Sequence, residues 1–290
     1  MTRIRRIEVV ANIASGSVGP HAPAEVGKIL ADHGFEARIC APEPSGLIDC
    51  LREAVASDPD LLIVLAGDGT ARTAAEMCGP DGPMLAPLAG GTMNMLPHAI
   101  YGVRPWRDAL PLMLRSGEPQ MLGGGEVEGH KFLVAAILGS PALWAPAREA
   151  ARHGRLRQAV DQARKAFGRA FSGRLRYVTA DLGRNKAEAL TFMCPLVSRG
   201  MDADADLLEV AALDPSGAAE ALRLGLHALV GDWRDDPAVH VSHAATTRVW
   251  AARRIPALLD GESVTLRSLT EVRYVKEMVR VYGLPEALRA

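Results

Sequence analysis

LLIVLAGDGTARTAAE, residues 61–76, decides how the first part of the chain folds. Six apolar residues run without a break into Gly67-Asp68-Gly69-Thr70, and a helix-like segment follows. A short strand that is apolar on both faces belongs inside a parallel sheet covered on two sides. Glycines let the backbone turn with positive φ and bring N–H groups close to an anion, and the next helix adds its positive N-terminus. An acid at that place repels phosphate unless a metal ion or a substrate proton lies between them. Asp68 therefore reads in two ways: as a group for Mg²⁺–phosphate or proton handling, or as the N-cap of a tight strand-to-helix turn. The loop has no G-x-x-x-x-G-K-[ST] pattern, and Arg72 occupies the third glycine's place of G-x-G-x-x-G.

Working outward, strands and helices alternate. IEVVAN (7–12) reads as a strand, APAEVGKILADHG (22–34) as a helix ended by Gly34, and FEARIC (35–40) as a strand. SGLIDCLREAVAS (45–57) reads as a helix with Ser45 as N-cap, PMLAPL (83–88) as a strand, and PWRDALPLMLRSG (105–117) as a helix despite Pro111. This rhythm predicts a parallel sheet with helices on both faces. Ligands bind such sheets beyond the carboxyl ends of the strands. Two more loops fall there: VVANIASGS, with Asn12, Ser15 and Gly16, and PLAGGTMNMLPHA, with Gly90, Gly91, Thr92 and Asn94. Three loops rich in Gly, Ser, Thr and Asn at one edge suit a nucleoside triphosphate.

After about residue 122 the rhythm changes. GGG at 123–125 reads as a linker or bend. Strand candidates follow: KFLVAAIL, RLRYVTADL, ALTFMCPLV, LLEVAAL, AVHVSHAA, TRVWAARR and SVTLRSL, with helices only near 146–170 and 216–231. A second, β-rich domain is expected. Residues 147–176 carry a run of arginines beside Leu156, Val160, Ala163, Phe167 and Phe171 at helical spacing. Such a face either docks on anionic lipid headgroups or is a solvated basic face over an ordinary core contact.

Bulk properties narrow the classes. The 290 residues carry a net charge of −1, so overall electrostatics do not call for a nucleic-acid partner. The four cysteines, Cys40, Cys50, Cys78 and Cys194, form no C-x-x-C pair and read as small buried residues of a reducing compartment. No stretch approaches the ~18 continuous apolar residues of a membrane span. Glu8 and Asn12 interrupt the apolar part of the N-terminus, which reads as a first strand and not a signal peptide, so a cytoplasmic protein is expected. No histidine pair has zinc spacing, and no G-x-S-x-G elbow occurs.

The ordered set N-x-x-S-G (12–16), G-D-G-T (67–70), G-T-x-N (91–94) and D-G-E (260–262) resembles the diacylglycerol kinase catalytic-domain family, which includes bacterial lipid kinases, sphingosine kinases and ceramide kinases. The resemblance implies an α/β nucleotide-binding domain over 1–122, to which 272–290 returns. It also implies a β-sandwich-like lipid-substrate domain over 123–271, with the active site in the cleft between the two. ATP and Mg²⁺ are the implied cofactors. Asn12, Ser15 and Gly16 would line the nucleotide, and Gly67, Asp68, Gly69 and Thr70 would meet its phosphates, with Asp68 near the metal or the acceptor hydroxyl. Gly91, Thr92 and Asn94 would complete the pocket, and Glu262 would act as general base on a lipid hydroxyl. The acceptor is diacylglycerol or a sphingolipid such as ceramide or a sphingoid base, met at the inner face of a membrane. An NAD-kinase-like enzyme and a non-catalytic nucleotide sensor are the alternatives, and an oligomer is left open. Taken alone, Asp260-Gly261-Glu262 reads as an exposed hairpin turn.

The sequence departs from the family pattern at four places. Ala66 replaces the first glycine of G-G-D-G-T, and Arg72-Thr73 stands where Asn-Glu is usual. Met95 replaces an acid. DADLLEV, 204–210, keeps Asp204, Asp206 and Glu209 as candidates for an ancillary metal site but has Ala205 where a second acid aligns.

Overall fold

The computed structural model describes residues 4–139, 174–179, 183–198, 201, 205–214, 234 and 236–289. The helices expected near 146–170 and 216–231 lie outside the described residues, as does nearly all of the basic segment 147–176. The chain divides into two compact units, residues 1–123 with 276–290, and residues 124–275.

In the first unit the order is β1 (Ile7–Ala11), α1 (Ala22–Asp32), β2 (Ala37–Cys40), α2 (Leu47–Ala56), β3 (Leu61–Ala66), α3 (Asp68–Cys78), β4 (Met84–Ala89), α4 (Met95–Tyr101) and α5 (Trp106–Ser116). The strands lie in the order β2-β1-β3-β4, all parallel, with Ile7 opposite Leu61 and Leu61 opposite Met84. Every residue of β3 and β4 is buried, as expected for strands covered on both faces. Two local readings are corrected. Ser45 sits inside a short 3₁₀ turn, Pro44–Gly46, and α2 takes Gly46 as its N-cap. The proline at the start of that turn fixes its φ and lets the tight turn form before the helix begins. The segment after β4 was expected as loop alone, yet it contains α4; Pro97 sits in the first turn, where its missing N–H costs nothing.

The cysteine reading also changes. Cys40, at the end of the edge strand β2, is bonded to Cys50 on α2. Cys78 and Cys194 are free and buried; burial pushes the Cys78 thiol up to about 12 and holds the Cys194 thiol well above its ordinary value, so both are inert.

The second unit is antiparallel. Its strands are β5 (Glu118–Val127, entering from the first unit), β6 (His130–Phe132), β7 (Ala135–Gly139), β8 (Leu175–Thr179), β9 (Asn185–Ala187), β10 (Ala189–Met193), β11 (Leu208–Leu213) and β12 (Val239–Ala244). They continue with β13 (Thr246–Trp250), β14 (Ile255–Leu259), β15 (Glu262–Leu266) and β16 (Leu269–Gly283). One sheet runs β12-β11-β10-β7-β14-β15; another set runs β16-β13-β8-β9, with the β5–β6 hairpin beside β16. Strands of both sets share one core, which includes Phe132, Leu138, Phe192, Val249, Leu259 and Val272. β16 continues into the first unit, where Val281 pairs in parallel with Leu85 of β4.

The glycine run 123–125 is not a break but the middle of β5. Gly125 pairs with Phe132, and a Cβ on Gly125 would lie 1.9 Å from the Phe132 ring. The glycine is there to admit an aromatic ring across the strand pair. KFLVAAIL, expected as one strand, is split at Leu133-Val134 into β6 and β7. The freed N–H groups are taken by the side chain of Asp260. This is one source of the broken pattern that no local periodicity reveals.

Candidate active site

Because β1, β3 and β4 are parallel neighbours, their carboxyl ends share one edge of the first unit. The backbone sews the three loops together. Asn12 N–H donates to the Leu65 carbonyl at 2.9 Å, Gly90 N–H to the Ala66 carbonyl at 2.9 Å, and Ser17 N–H to the Gly90 carbonyl at 3.1 Å. The first loop is wound on itself: Asn12 Oδ1 accepts the Ala14 N–H at 3.2 Å, and the Asn12 carbonyl accepts the Ser15 N–H at 2.9 Å.

At Gly90 and Gly91 a side chain does not fit. A Cβ on Gly91 would stand 2.7 Å from the Gly67 Cα, and one on Gly90 2.6 Å from the Val18 side chain. A Cβ on Gly67 would be 3.6 Å from both the Gly91 Cα and the Ser15 hydroxyl. Gly16 is close to the Thr92 hydroxyl. The structure thus brings Asn12, Ser15, Gly16, Gly67, Gly91, Thr92 and Asn94 into one cluster, with Asp68, Gly69 and Thr70 opening α3 beside it. Gly91→Ala should shift the 67 and 91 loops apart and weaken ATP binding at least tenfold. Calorimetric titration checks this, with the melting temperature reported alongside.

Two side chains have duties that the sequence did not disclose. Asn94 adopts φ 51° and spends both ends of its amide on Gly91: Oδ1 accepts the Gly91 N–H at 2.7 Å and Nδ2 donates to the Gly91 carbonyl at 3.0 Å. It shapes the third loop. Asp68 is not the N-cap of α3; Gly67 is. The Asp68 carboxylate reaches forward to the start of α4, where it accepts the Leu96 N–H at 3.3 Å and bonds from Asn94 and Met95 as well. The acid between two glycines is therefore met by the amides of the next loop. An acid at a helix start is electrostatically favoured. Burial nonetheless dominates and raises the Asp68 pKa, against the lowering effect of those amides.

That shift has a sign that can be checked. Between the ordinary value of 3.8 and the raised native value, the folded protein holds a proton that the unfolded chain has lost. Stability contributed by Asp68 therefore falls as pH rises through that window. Asp68→Asn removes this cost, so its melting temperature relative to the wild type should be more favourable at pH 7 than at pH 3.5. A difference independent of pH would contradict the assignment.

Asp68 is the single carboxylate among the three loops. Mg²⁺ takes one or two carboxylates plus phosphate oxygens and keeps several waters, so the donor set fits a metal that arrives with ATP. The ancillary metal site does not gain support. Asp204 lies outside the described residues, Asp206 is exposed, and no cluster of three or more potential ligands occurs among the described residues. Glu209 is wholly buried, with its carboxylate bonded to Arg234 Nε at 2.7 Å and to the Ser198 hydroxyl. A guanidinium already neutralises it.

In the second unit, Asp260 and Gly261 form a two-residue turn between β14 and β15, both with positive φ (47° and 87°). This is the hairpin geometry that Asp-Gly favours. Glu262 opens β15 and is exposed.

Residues 6–121 match the family model of the diacylglycerol kinase catalytic domain. No curated protein matches the chain in sequence. A solved structure described as a diacylglycerol kinase from Bacillus anthracis str. Sterne aligns at TM-score 0.72 and 15% identity, covering 98% of this chain and 99% of that one. An NAD kinase from Archaeoglobus fulgidus, solved in complex with ATP, aligns at TM-score 0.52 and 12% identity, covering 98% of this chain and 96% of that one. At these identities the structural matches establish the fold: an α/β unit with a parallel sheet and a β-rich unit. Over residues 6–121 the chain is similar to the diacylglycerol kinase catalytic domain, the family that its ordered motifs resemble.

Proposed function

We propose that the protein is an ATP-dependent kinase that transfers the γ-phosphate of ATP to the hydroxyl of a lipid, either diacylglycerol or a sphingolipid. The observation that carries the nucleotide part is the close approach of the Gly67 and Gly91 loops at a parallel-sheet edge, where a Cβ does not fit at Gly90 or Gly91. Such an edge receives phosphates by hydrogen bonding, without a cationic side chain. The family match supports a kinase; the lipid acceptor follows from the family alone.

In this reading Gly67, Gly69 and Thr70 bind the phosphates, Asn12, Ser15, Gly16, Gly91 and Thr92 line the nucleotide, and Asn94 holds the third loop in shape. Asp68 holds the start of α4 and would be the carboxylate that meets the metal. Mg²⁺, when bound with ATP, neutralises charge that develops on the phosphates. Glu262 takes the proton of the acceptor hydroxyl, since an aliphatic alcohol is a poor nucleophile until a carboxylate within hydrogen-bond reach accepts it. No helix among the described residues is long and apolar enough to cross a membrane. In this reading the protein meets its lipid at a membrane surface.

The test is incubation with γ-labelled ATP, Mg²⁺ and a panel of diacylglycerol, sphingosine, ceramide and NAD, followed by product separation. Label on a lipid is expected. Label on NAD alone would replace this reading with the NAD-kinase one, and no label on any acceptor would favour a nucleotide sensor.

A further inference from the structure

Splitting a strand inside a core strands its N–H groups, and buried N–H groups must be paired. At the break between β6 and β7, one side chain does this. Asp260 Oδ2 accepts the Leu133 N–H at 2.7 Å, and Oδ1 accepts the Val134 and Ala135 N–H groups at 3.0 and 2.9 Å. The Asp260 N–H donates in return to the Ala135 carbonyl at 2.9 Å. Leu133 and Val134 are themselves buried, so these bonds are shielded from water. Bonds to an ionised acceptor are the strong ones. They hold a residue whose φ of 47° lies in the left-handed region, which a side-chain-bearing residue enters reluctantly.

The turn so held leads directly into Glu262. β15 is the last strand of its sheet and pairs only with β14 among the described residues. A lone edge ladder leaves the start of β15 poorly fixed on its open side. The Asp260 bonds tie the turn to a third segment, the β6–β7 link, from within the same unit.

We infer that Asp260 is a positioning residue: it anchors the β14–β15 turn to Leu133–Ala135 and thereby sets the place of Glu262. The inference rests on the reading of Glu262 as general base. It goes beyond that reading in giving the first residue of D-G-E a duty of its own, distinct from turn formation. A base must stay within about 2.6–3.2 Å of the proton it takes. Misplacement by about 1 Å costs on the order of 10²-fold in rate.

The experiment compares the wild-type chain with Asp260→Asn, Asp260→Ala, Glu262→Gln and the Asp260→Ala/Glu262→Gln double variant. It measures kcat, KM for ATP, near-UV circular dichroism and amide exchange at Leu133–Ala135. Asp260→Ala should lower kcat about 10²-fold with KM for ATP within about twofold. Asp260→Asn should fall between it and the wild type, because one amide oxygen still accepts. Exchange at Leu133–Ala135 should quicken in both. The double variant should be no slower than Glu262→Gln, since Asp260 acts through Glu262. A folded Asp260→Asn with wild-type kcat overturns the inference, and so does a double variant in which the two losses add. If Asp260→Ala does not fold, Asp260→Asn carries the measurement. A wild type that labels no acceptor overturns the kinase reading, and this inference with it; an active wild type with unaffected Asp260 variants overturns the inference alone.

Discussion

Replacing Glu262 by Gln is expected to lower turnover by about 10²–10⁴-fold, the usual contribution of a general base, and to leave ATP affinity within about twofold. The substitution keeps the size and hydrogen-bonding shape of the side chain and removes only its capacity to take a proton. Glu262 is exposed at the start of β15 and fills no core space, so the fold should tolerate the change. The measurement is kcat on the lipid that the acceptor panel identifies, together with ATP titration by calorimetry. Equal loss of turnover and of ATP binding would make Glu262 structural and would leave the reaction without its base.

Arg234→Ala is expected to be the most destabilising single change, by about 3–5 kcal/mol. Arg234 is the cation that meets Glu209, a carboxylate with no exposure to solvent. Removing the guanidinium leaves that charge with the Ser198 hydroxyl as its remaining named partner. The double replacement Arg234→Met/Glu209→Leu should be far milder, because it removes both charges and keeps the volume. Denaturant titration followed by tryptophan fluorescence would show the difference. A single variant as stable as the wild type would mean that the Arg234–Glu209 pair is not buried in the native state, contrary to the geometry.

Much of the first unit is legible in the sequence because its signals are local. The unbroken apolar run 61–66, short and ended by Gly67, reads as a strand covered on both faces, and 84–89 repeats the pattern. Glycines at 67, 90 and 91 mark the loops. What those loops do to one another is less legible. Asp68 reads as an isolated acid facing a phosphate, yet it spends hydrogen-bonding capacity on α4, a helix hidden behind glycines and Pro97. Asn94 reads as a nucleotide ligand, yet both ends of its amide close the loop on Gly91.

The second unit shows the opposite balance. Its strands are recognisable by alternation, but its exceptions are set by partners far away in sequence. Gly125 looks like a linker residue until Phe132 is placed against it. The split of 131–138 makes sense only when Asp260, some 125 residues away, supplies the missing acceptors. The bond between Cys40 and Cys50 is similar: no spacing rule predicts it, and it follows from the end of β2 lying beside α2.

The claim on which the rest depends is that the loops after β1, β3 and β4 receive the phosphates of ATP. Hydrogen exchange with and without Mg·ATP tests it directly. The account predicts slowed exchange at the amides of 12–16, 67–70 and 91–94, with little change at the opposite end of the same strands. Binding of ATP without protection of Gly67–Thr70 would contradict it.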